Sequence, residues 1–219
     1  MSALIIGSGK LGMALARAIE NKTGERPEVI HHGMACSVEK LDRFNPIYMC
    51  AANTNTRGDY NPSYLQETKI VKEVLSKMPL GSNLYTFGSN YEASPLANAY
   101  IDSKRALRFM YRCRWHRRWI HTTLSNLYLK DFDFILRFPK PCTVPQGTFI
   151  EPLQVDAVAA RLLTMIEPGE YHIRSQKRAL ATYISDRGVE VVWTDQVPVE
   201  FPIDWDALDR GLLGKQIQI

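Results

Sequence analysis

The run Ala3-Leu4-Ile5-Ile6-Gly7-Ser8-Gly9-Lys10-Leu11-Gly12 decides the fold. Four apolar residues in a row, without alternation, are the pattern of a strand buried on both faces, as in a parallel sheet. Glycines then stand at 7, 9 and 12, spaced G-x-G-x-x-G. Leu11, Ala14, Leu15, Ala18 and Ile19 recur at helical spacing, which predicts a helix to about Lys22, ended by Thr23-Gly24 and Pro27. In this setting the first glycine permits a tight turn, the second lets backbone N–H groups approach a pyrophosphate, and the third lets helix and strand pack closely. The helix N-terminus adds partial positive charge. Gly7, Ser8, Gly9, Lys10, Leu11 and Gly12 are therefore the predicted phosphate cradle, with a plain strand-to-helix turn as the competing reading. The other common phosphate loop, G-x-x-x-x-G-K-[ST], is absent.

Val29-Ile30 is a second short strand, ending at His31 and His32. An acidic residue there would hold the ribose 2′-hydroxyl of NAD. Histidines, with Lys10 and Arg26 close in sequence, suit a 2′-phosphate better. The predicted cofactor is NAD(P), with NADP preferred. The competing reading is a polar strand end with no ligand. Two adjacent histidines without a partner motif do not make a metal site.

Downstream, helices and strands keep alternating. A helix is expected around Ser37 to Phe44, with Ser37 as a possible cap, then a strand over Pro46 to Ala52. Tyr64 to Met78 reads as a helix with Ile70, Val71, Val74 and Leu75 on one side. Asn83 to Phe87 reads as a strand stopped at Gly88-Ser89-Asn90, and a long helix is expected from about Ala97 to Arg117. Ile120 to Tyr128 and Phe132 to Phe138 read as extended, and Pro139, Pro141 and Pro145 as a stiff loop. Val155 to Ile166 is a predicted helix and Glu170 to Ile173 a strand. In the tail, Leu180 to Asp186 reads as helix-like, Val189 to Trp193 as a strand, and a short helix is expected from Asp204. The fold class is α/β, a doubly wound parallel sheet of Rossmann type with a small C-terminal elaboration. Residues 1–138 would form the dinucleotide-binding core. Residues 139–219 would add its final strand and helix and a small substrate-side part, all in one compact domain.

Composition narrows the function classes. A chain of 219 residues with 45% hydrophobic and 23% charged residues has the balance of an ordinary packed domain. A net charge of +4 is too small to imply nucleic acid, and no apolar run approaches a membrane span. Ala3 to Ile6 is too short for the core of a signal peptide. Cys36, Cys50, Cys113 and Cys142 form no C-x-x-C pair, and Cys50 lies in an apolar run, as a small buried hydrophobe would. The expectation is a cytoplasmic protein with reduced thiols.

The chemistry-bearing pattern is Tyr100-Ile101-Asp102-Ser103-Lys104. Positions i and i+4 of a helix share a face, so Lys104 lies one turn beyond Tyr100. An ammonium near a phenol favours the phenolate, which suits tyrosine to acid/base work. Ser89, eleven positions before Tyr100, ends a predicted strand on the side where parallel sheets bind ligands. Its hydroxyl could orient a substrate carbonyl. Taken singly, each has an ordinary structural alternative, such as a partly buried Tyr and a solvated Lys.

Residues 86–104 (TFGSNYEASPLANAYIDSK) resemble the short-chain dehydrogenase/reductase superfamily, in its extended, nucleotide-sugar epimerase/dehydratase branch. There a serine-bearing strand end precedes a proline loop and Y-x-x-S-K. Ala51, Ala52 and Asn53 resemble the cofactor-contacting turn after that fold's fourth strand. Residues 149–161 with Tyr171-His172-Ile173 are similar to its late V-D-D-V-A helix and last strand. The resemblance implies Tyr100 as catalytic acid/base, Lys104 as the ribose-binding residue that tunes it, and Ser89 as the group polarising the substrate oxygen. It implies a small-molecule substrate, no nucleic acid or membrane partner, and a homodimer. Two departures stand out. About sixteen residues separate His31 from Ile47, too few for the family's third strand and its flanking helices, and the Ser-to-Tyr interval is short. A third feature is a basic, aromatic stretch, Arg105, Arg108, Arg112, Arg114, Arg117 and Arg118 with Tyr111, Trp115 and Trp119, which reads as an exposed helix face plus a dimer-packing face.

Overall fold

The opening apolar run becomes β1 (Ser2–Ile6), and the helix after the glycines is α1 (Lys10–Thr23). Thr23-Gly24 ends it as its composition predicts: Gly24 adopts φ +75° and its N–H donates to Glu20 O. The computed structural model describes residues 2–31, 41–52, 66–89, 92, 99–113, 118–124, 126–128, 148–150, 152–173, 178–185 and 188–194. After α1 come β2 (Glu28–Ile30), β3 (Phe44–Met49), α2 (Gln66–Lys77), β4 (Leu84–Ser89), α3 (Ala99–Cys113) and β5 (Trp119–Leu124). The short strands β6 (Asn126–Tyr128), β7 (Thr148–Ile150) and β8 (Pro152–Gln154) follow. Then come α4 (Val155–Leu162), β9 (Gly169–Ile173), β10 (Arg178–Ser185) and β11 (Gly188–Thr194).

The main sheet has six strands in the order β2-β1-β3-β4-β5-β9, and every pairing is parallel. β1 has β2 on one side and β3 on the other, so the winding reverses there. Residue alternation sends Ile5 and Tyr48 to one face, where they join Leu15, Ile19, Val158 and Leu162 of α1 and α4. Leu4, Ile6, Ile47 and Met49 go to the other face and meet Val71 and Val74 of α2 and Leu107 of α3. Leu4, Ile5 and Ile6 are all fully buried, each worth about 1.5–3 kcal/mol for removal from water. This is the doubly wound, Rossmann-type sheet that the strand and helix alternation predicts. Among the described residues β2 is the sheet edge, and no strand lies outside it.

Several sequence expectations change. The helix expected to reach Phe44 does not: residues 42–43 form a turn and Phe44 opens β3, because its buried ring and the parallel register with β1 outweigh local helical spacing. Ser37 lies outside the described residues. The helix-like piece expected over Leu180 to Asp186 is strand β10, paired antiparallel with both β7 and β11. Thr182, Tyr183 and Ile184 fit a pleated surface better than a helix, and the neighbouring strands supply the ladder. α4 stops at Leu162 rather than near Ile166, with Leu163 and Thr164 in a turn. Cys50 is only half-buried. Arg108, expected on an exposed face, is buried and ion-paired with Glu170. The extended piece at 132–138, the proline loop, Arg114, Trp115 and Arg117, and the tail helix near Asp204 lie outside the described residues.

Candidate active site at the carboxyl ends of the strands

The turn from β1 into α1 is built from steric necessity. Gly7 has φ +110°, and a Cβ there would run into the backbone N of Ala51. A Cβ on Gly12 would run into the carbonyl oxygen of Gly7. The two glycines thus let three backbones close on one another: Gly7 N–H donates to Ile30 O at 2.7 Å, and Cys50 N–H donates to Ile6 O at 2.8 Å. Gly9 is different. It is the N-cap of α1, and a Cβ there would meet nothing within 4 Å. Gly9 makes no side-chain cap bond, and the first turn of the helix holds no acidic residue. A helix N-terminus opened by a glycine with free space around its Cα is an arrangement that suits an anion.

The cradle meets the ends of the adjacent strands. Ser8 Oγ and His31 Nδ1 lie 3.1 Å apart, joining the glycine loop to the end of β2. Ala51, buried against Gly7, and exposed Ala52 follow β3. The structure thus assembles Gly7 through Gly12, His31, Ala51 and Ala52 at the point where the winding reverses, where open α/β sheets bind ligands. His32 and Asn53 lie outside the described residues.

β4 ends on buried Ser89, and the helix that follows, α3, carries Tyr100 in its first turn and Lys104 one turn later. Lys104 Nζ lies 5.9 Å from the centre of the Tyr100 ring. The lysine is almost wholly buried, and its ammonium is held from below. It donates to Glu67 Oε1 of α2 at 2.7 Å and to Phe87 O of β4 at 2.8 Å. Burial alone would pull Lys104 down. The carboxylate of Glu67, with a smaller contribution from Tyr100, holds it above its ordinary value instead. Burial pushes the Glu67 carboxyl up, against the pull of Lys104. The ammonium therefore stays charged in an apolar setting because one carboxylate faces it.

A second buried polar group lies beside Ser89. Glu92 Oε1 accepts the Ser89 N–H at 2.7 Å, and Glu92 is fully buried. Burial pushes its carboxyl up to about 7, against the backbone bond from Ser89 and the charges of Arg108 and Lys104. His121 of β5 is also fully buried, and burial with the nearby cations pulls it down to about 3. It is a neutral imidazole. Its Nδ1 lies 2.8 Å from Thr86 Oγ1, which also accepts Trp119 Nε1–H at 2.8 Å.

Glu67, Glu92 and His121 are the residues that sequence reasoning missed. Glu67 had a signal: with Ile70, Val71 and Val74 it continues the apolar stripe of α2 at i, i+3, i+4 and i+7, where a carboxylate needs a partner. His121 had one as well, a polar residue inside a strand whose described neighbours are all buried. Glu92, in a loop, had none.

The basic stretch on α3 is largely neutralised. Arg108 Nε reaches Glu170 Oε1 at 2.6 Å, Arg112 reaches Glu170 Oε2 at 3.0 Å, and Arg105 pairs with Asp102 at 3.2 Å. A cavity of about 320 Å³ lies at the opposite end of the sheet, lined by Ser2, Lys22, Arg26, Pro46, Tyr48 and Leu163. It is remote from the groups described above. Among the described residues no cluster of three His, Cys, Asp or Glu could hold a metal, and no helix is long and apolar enough to cross a membrane.

Comparison with solved structures shows what this fold is. The chain is similar to a UDP-N-acetylglucosamine 4-epimerase from Bacillus cereus, with 14% identity, 80% of this chain and 78% of that one covered, and a TM-score of 0.53. It is similar to a dTDP-glucose 4,6-dehydratase from Streptomyces venezuelae solved with NAD bound, at 15% identity, 79% and 75% covered, and TM-score 0.56. A GDP-L-fucose synthetase from Naegleria fowleri bound to NADP matches at 13% identity, 79% and 72% covered, and TM-score 0.55. No protein-family model and no curated protein sequence matches the chain. At these identities the likeness establishes the fold of the epimerase/dehydratase and short-chain reductase structures.

Proposed function

We propose that this chain, which has the fold of the nucleotide-sugar epimerases and dehydratases, is an NAD(P)-dependent oxidoreductase of the short-chain dehydrogenase/reductase type. Its substrate class is a carbonyl or alcohol, including nucleotide-sugar-like molecules. One observation carries the reading: the helix N-terminus at Gly9, after β1, and Ser89 at the end of β4, with Tyr100 and Lys104 on the helix that follows, stand on the same carboxyl edge of one parallel sheet, with only β3 between the two strands. The cradle fits a pyrophosphate because a Cβ at Gly9 would meet open space while Gly7 and Gly12 are already packed. Ser8 and His31, with no carboxylate among the described residues at the end of β2, favour the 2′-phosphate of NADP. When bound, the nicotinamide gives or takes a hydride. The chain supplies the rest. Glycine-loop N–H groups orient the phosphates, Ser89 orients the substrate oxygen, and Tyr100 Oη moves a proton to or from that oxygen. Lys104 keeps a positive charge beneath the Tyr100 ring.

A thermal-shift titration with NADPH, NADH and their oxidised forms tests this. A ligand at 100 times its Kd adds about 2.7 kcal/mol to the folded state. A rise in Tm with one cofactor pair is expected, and no rise with any of the four overturns the reading. Tyr100→Phe should keep the rise and abolish reduction of ketone and nucleotide-sugar substrates that the wild type turns over.

A second reading is a non-catalytic dinucleotide sensor or scaffold. It is favoured by β2 standing at the sheet edge, and by the Lys104 ammonium already holding Glu67 and Phe87 O. It predicts a cofactor response without turnover of any such substrate. A homodimer packed through α3 is supported by Phe109, half-exposed on that helix. Light scattering on the eluting protein tests it.

A further inference from the structure

We infer that Glu92 is a positioning residue of this site: its carboxylate folds back onto the end of β4 and fixes the strand end that carries Ser89. The inference deepens the proposed function and rests on Ser89 being the group that orients the substrate oxygen. Three observations carry it. Glu92 Oε1 accepts the Ser89 N–H at 2.7 Å, three residues back along the chain. Gly88 makes room for this return, since a Cβ there would sit 2.5 Å from Glu92 Oε1. The same point is 2.9 Å from His121 Nε2 and 3.2 Å from Thr123 Oγ1, so carboxylate, imidazole and hydroxyl border one niche at the ends of β4 and β5. The main chain of Glu92 is fixed separately, by Arg105 Nε donating to Glu92 O at 3.1 Å.

The niche is built for a carboxylate that titrates. Glu92 Oε2 and His121 Nε2 are both buried without a hydrogen-bond partner among the described residues. Thr86 Oγ1 accepts from Trp119, so its own proton is available to His121 Nδ1. That tautomer puts a proton on His121 Nε2, facing the glutamate side of the niche. Among the described residues, the groups around Glu92 come from four elements. From β4 there are the Ser89 amide and Gly88, from β5 His121 and Thr123, from α3 Lys104, Arg105 and Arg108, and from β9 Glu170. The cations favour the ionised form, Glu170 and burial the neutral one, and the balance leaves the carboxyl near neutrality. An ionised Glu92 grips the Ser89 amide with a charge-assisted bond, and protonation weakens the grip. Ser89 is therefore held most firmly above neutral pH.

The test is NMR on the intact chain without added cofactor, following the Ser89 amide proton and the glutamate side-chain carboxyl carbons with pH. In wild type the Ser89 amide should move downfield as pH rises through about 7, together with one glutamate carboxyl carbon. In Glu92→Gln that amide should lose its titration while the rest of the spectrum stays dispersed. If Glu92→Gln does not fold, the joint wild-type titration of amide and carboxyl decides alone. A Ser89 amide that is flat in wild type, or that titrates unchanged in Glu92→Gln, overturns the inference. A failed dinucleotide thermal shift with an intact Ser89 titration sinks the proposed function instead.

Discussion

Removing the Lys104 ammonium separates its structural role from its chemical one. Lys104→Met keeps the stem's volume but leaves the buried Glu67 carboxylate without its ammonium partner. The two side chains are 5% and 2% exposed and 2.7 Å apart, so solvent screening offers little relief. Breaking a buried pair from one side costs about 3–5 kcal/mol, a large share of the ~5–15 kcal/mol that holds a domain folded. With a urea slope of about 2–3 kcal/mol per molar, the midpoint should fall by roughly 1–2.5 M. Replacing both partners, in Lys104→Met with Glu67→Met, removes the orphan charge and should recover most of the loss. The pH sense is fixed by Glu67. Burial raises its folded-state value, so its contribution is intact below the usual range near 4.5 and is lost as pH rises through the raised value. The single variant should therefore be hurt more at pH 7 than at pH 4.5. Urea unfolding followed by tryptophan fluorescence at both pH values measures all of this. A loss below about 1 kcal/mol for Lys104→Met at pH 7, or a double variant as weak as the sum of the singles, refutes the buried pair. A folded double variant also tests Lys104 directly: the enzyme reading requires that it fail in turnover.

Two further outcomes follow from other parts of the site. His121 is pulled from 6.5 to about 3, so its contribution to stability is whole above 6.5 and lost as pH falls towards 3, by up to about 5 kcal/mol. Stability measured at pH 7, 5 and 4 should fall more steeply in wild type than in His121→Asn, and equal slopes would remove His121 from the account. Among the glycines, Gly9→Ala should unfold within about 1 kcal/mol of wild type, since φ at that N-cap is −71° and its surroundings are open. It should nevertheless lose the dinucleotide thermal shift, whereas Gly7→Ala should fail to fold stably because both its φ and the Ala51 backbone forbid a Cβ. A stable Gly7→Ala protein would mean the turn is built differently.

Much of the core was legible because its causes are local. Ala3 to Ile6 has the pattern of a strand buried on both faces, the glycines that of a tight turn, and Leu11, Leu15 and Ile19 the spacing of one helix face. Among the described residues β2 stands at the edge of the sheet, and residues 32–40, the short interval after His31, lie outside them. Leu180 to Asp186 was illegible for the converse reason. Spacing allowed a helix, and only the partners β7 and β11, reached through the fold, made it a strand.

The amino-acid sequence alone determined the doubly wound architecture and the positions of the glycine loop, Ser89, Tyr100 and Lys104, because turn sterics and hydrophobic period act over a few neighbouring residues. Tertiary structure alone decided the company those residues keep. Glu67, 37 positions from Lys104, reaches its ammonium only when α2 packs on α3, and His121 faces Glu92 only when β5 lies beside β4. Buried charges must find partners wherever the fold brings them, and no local pattern states where that will be.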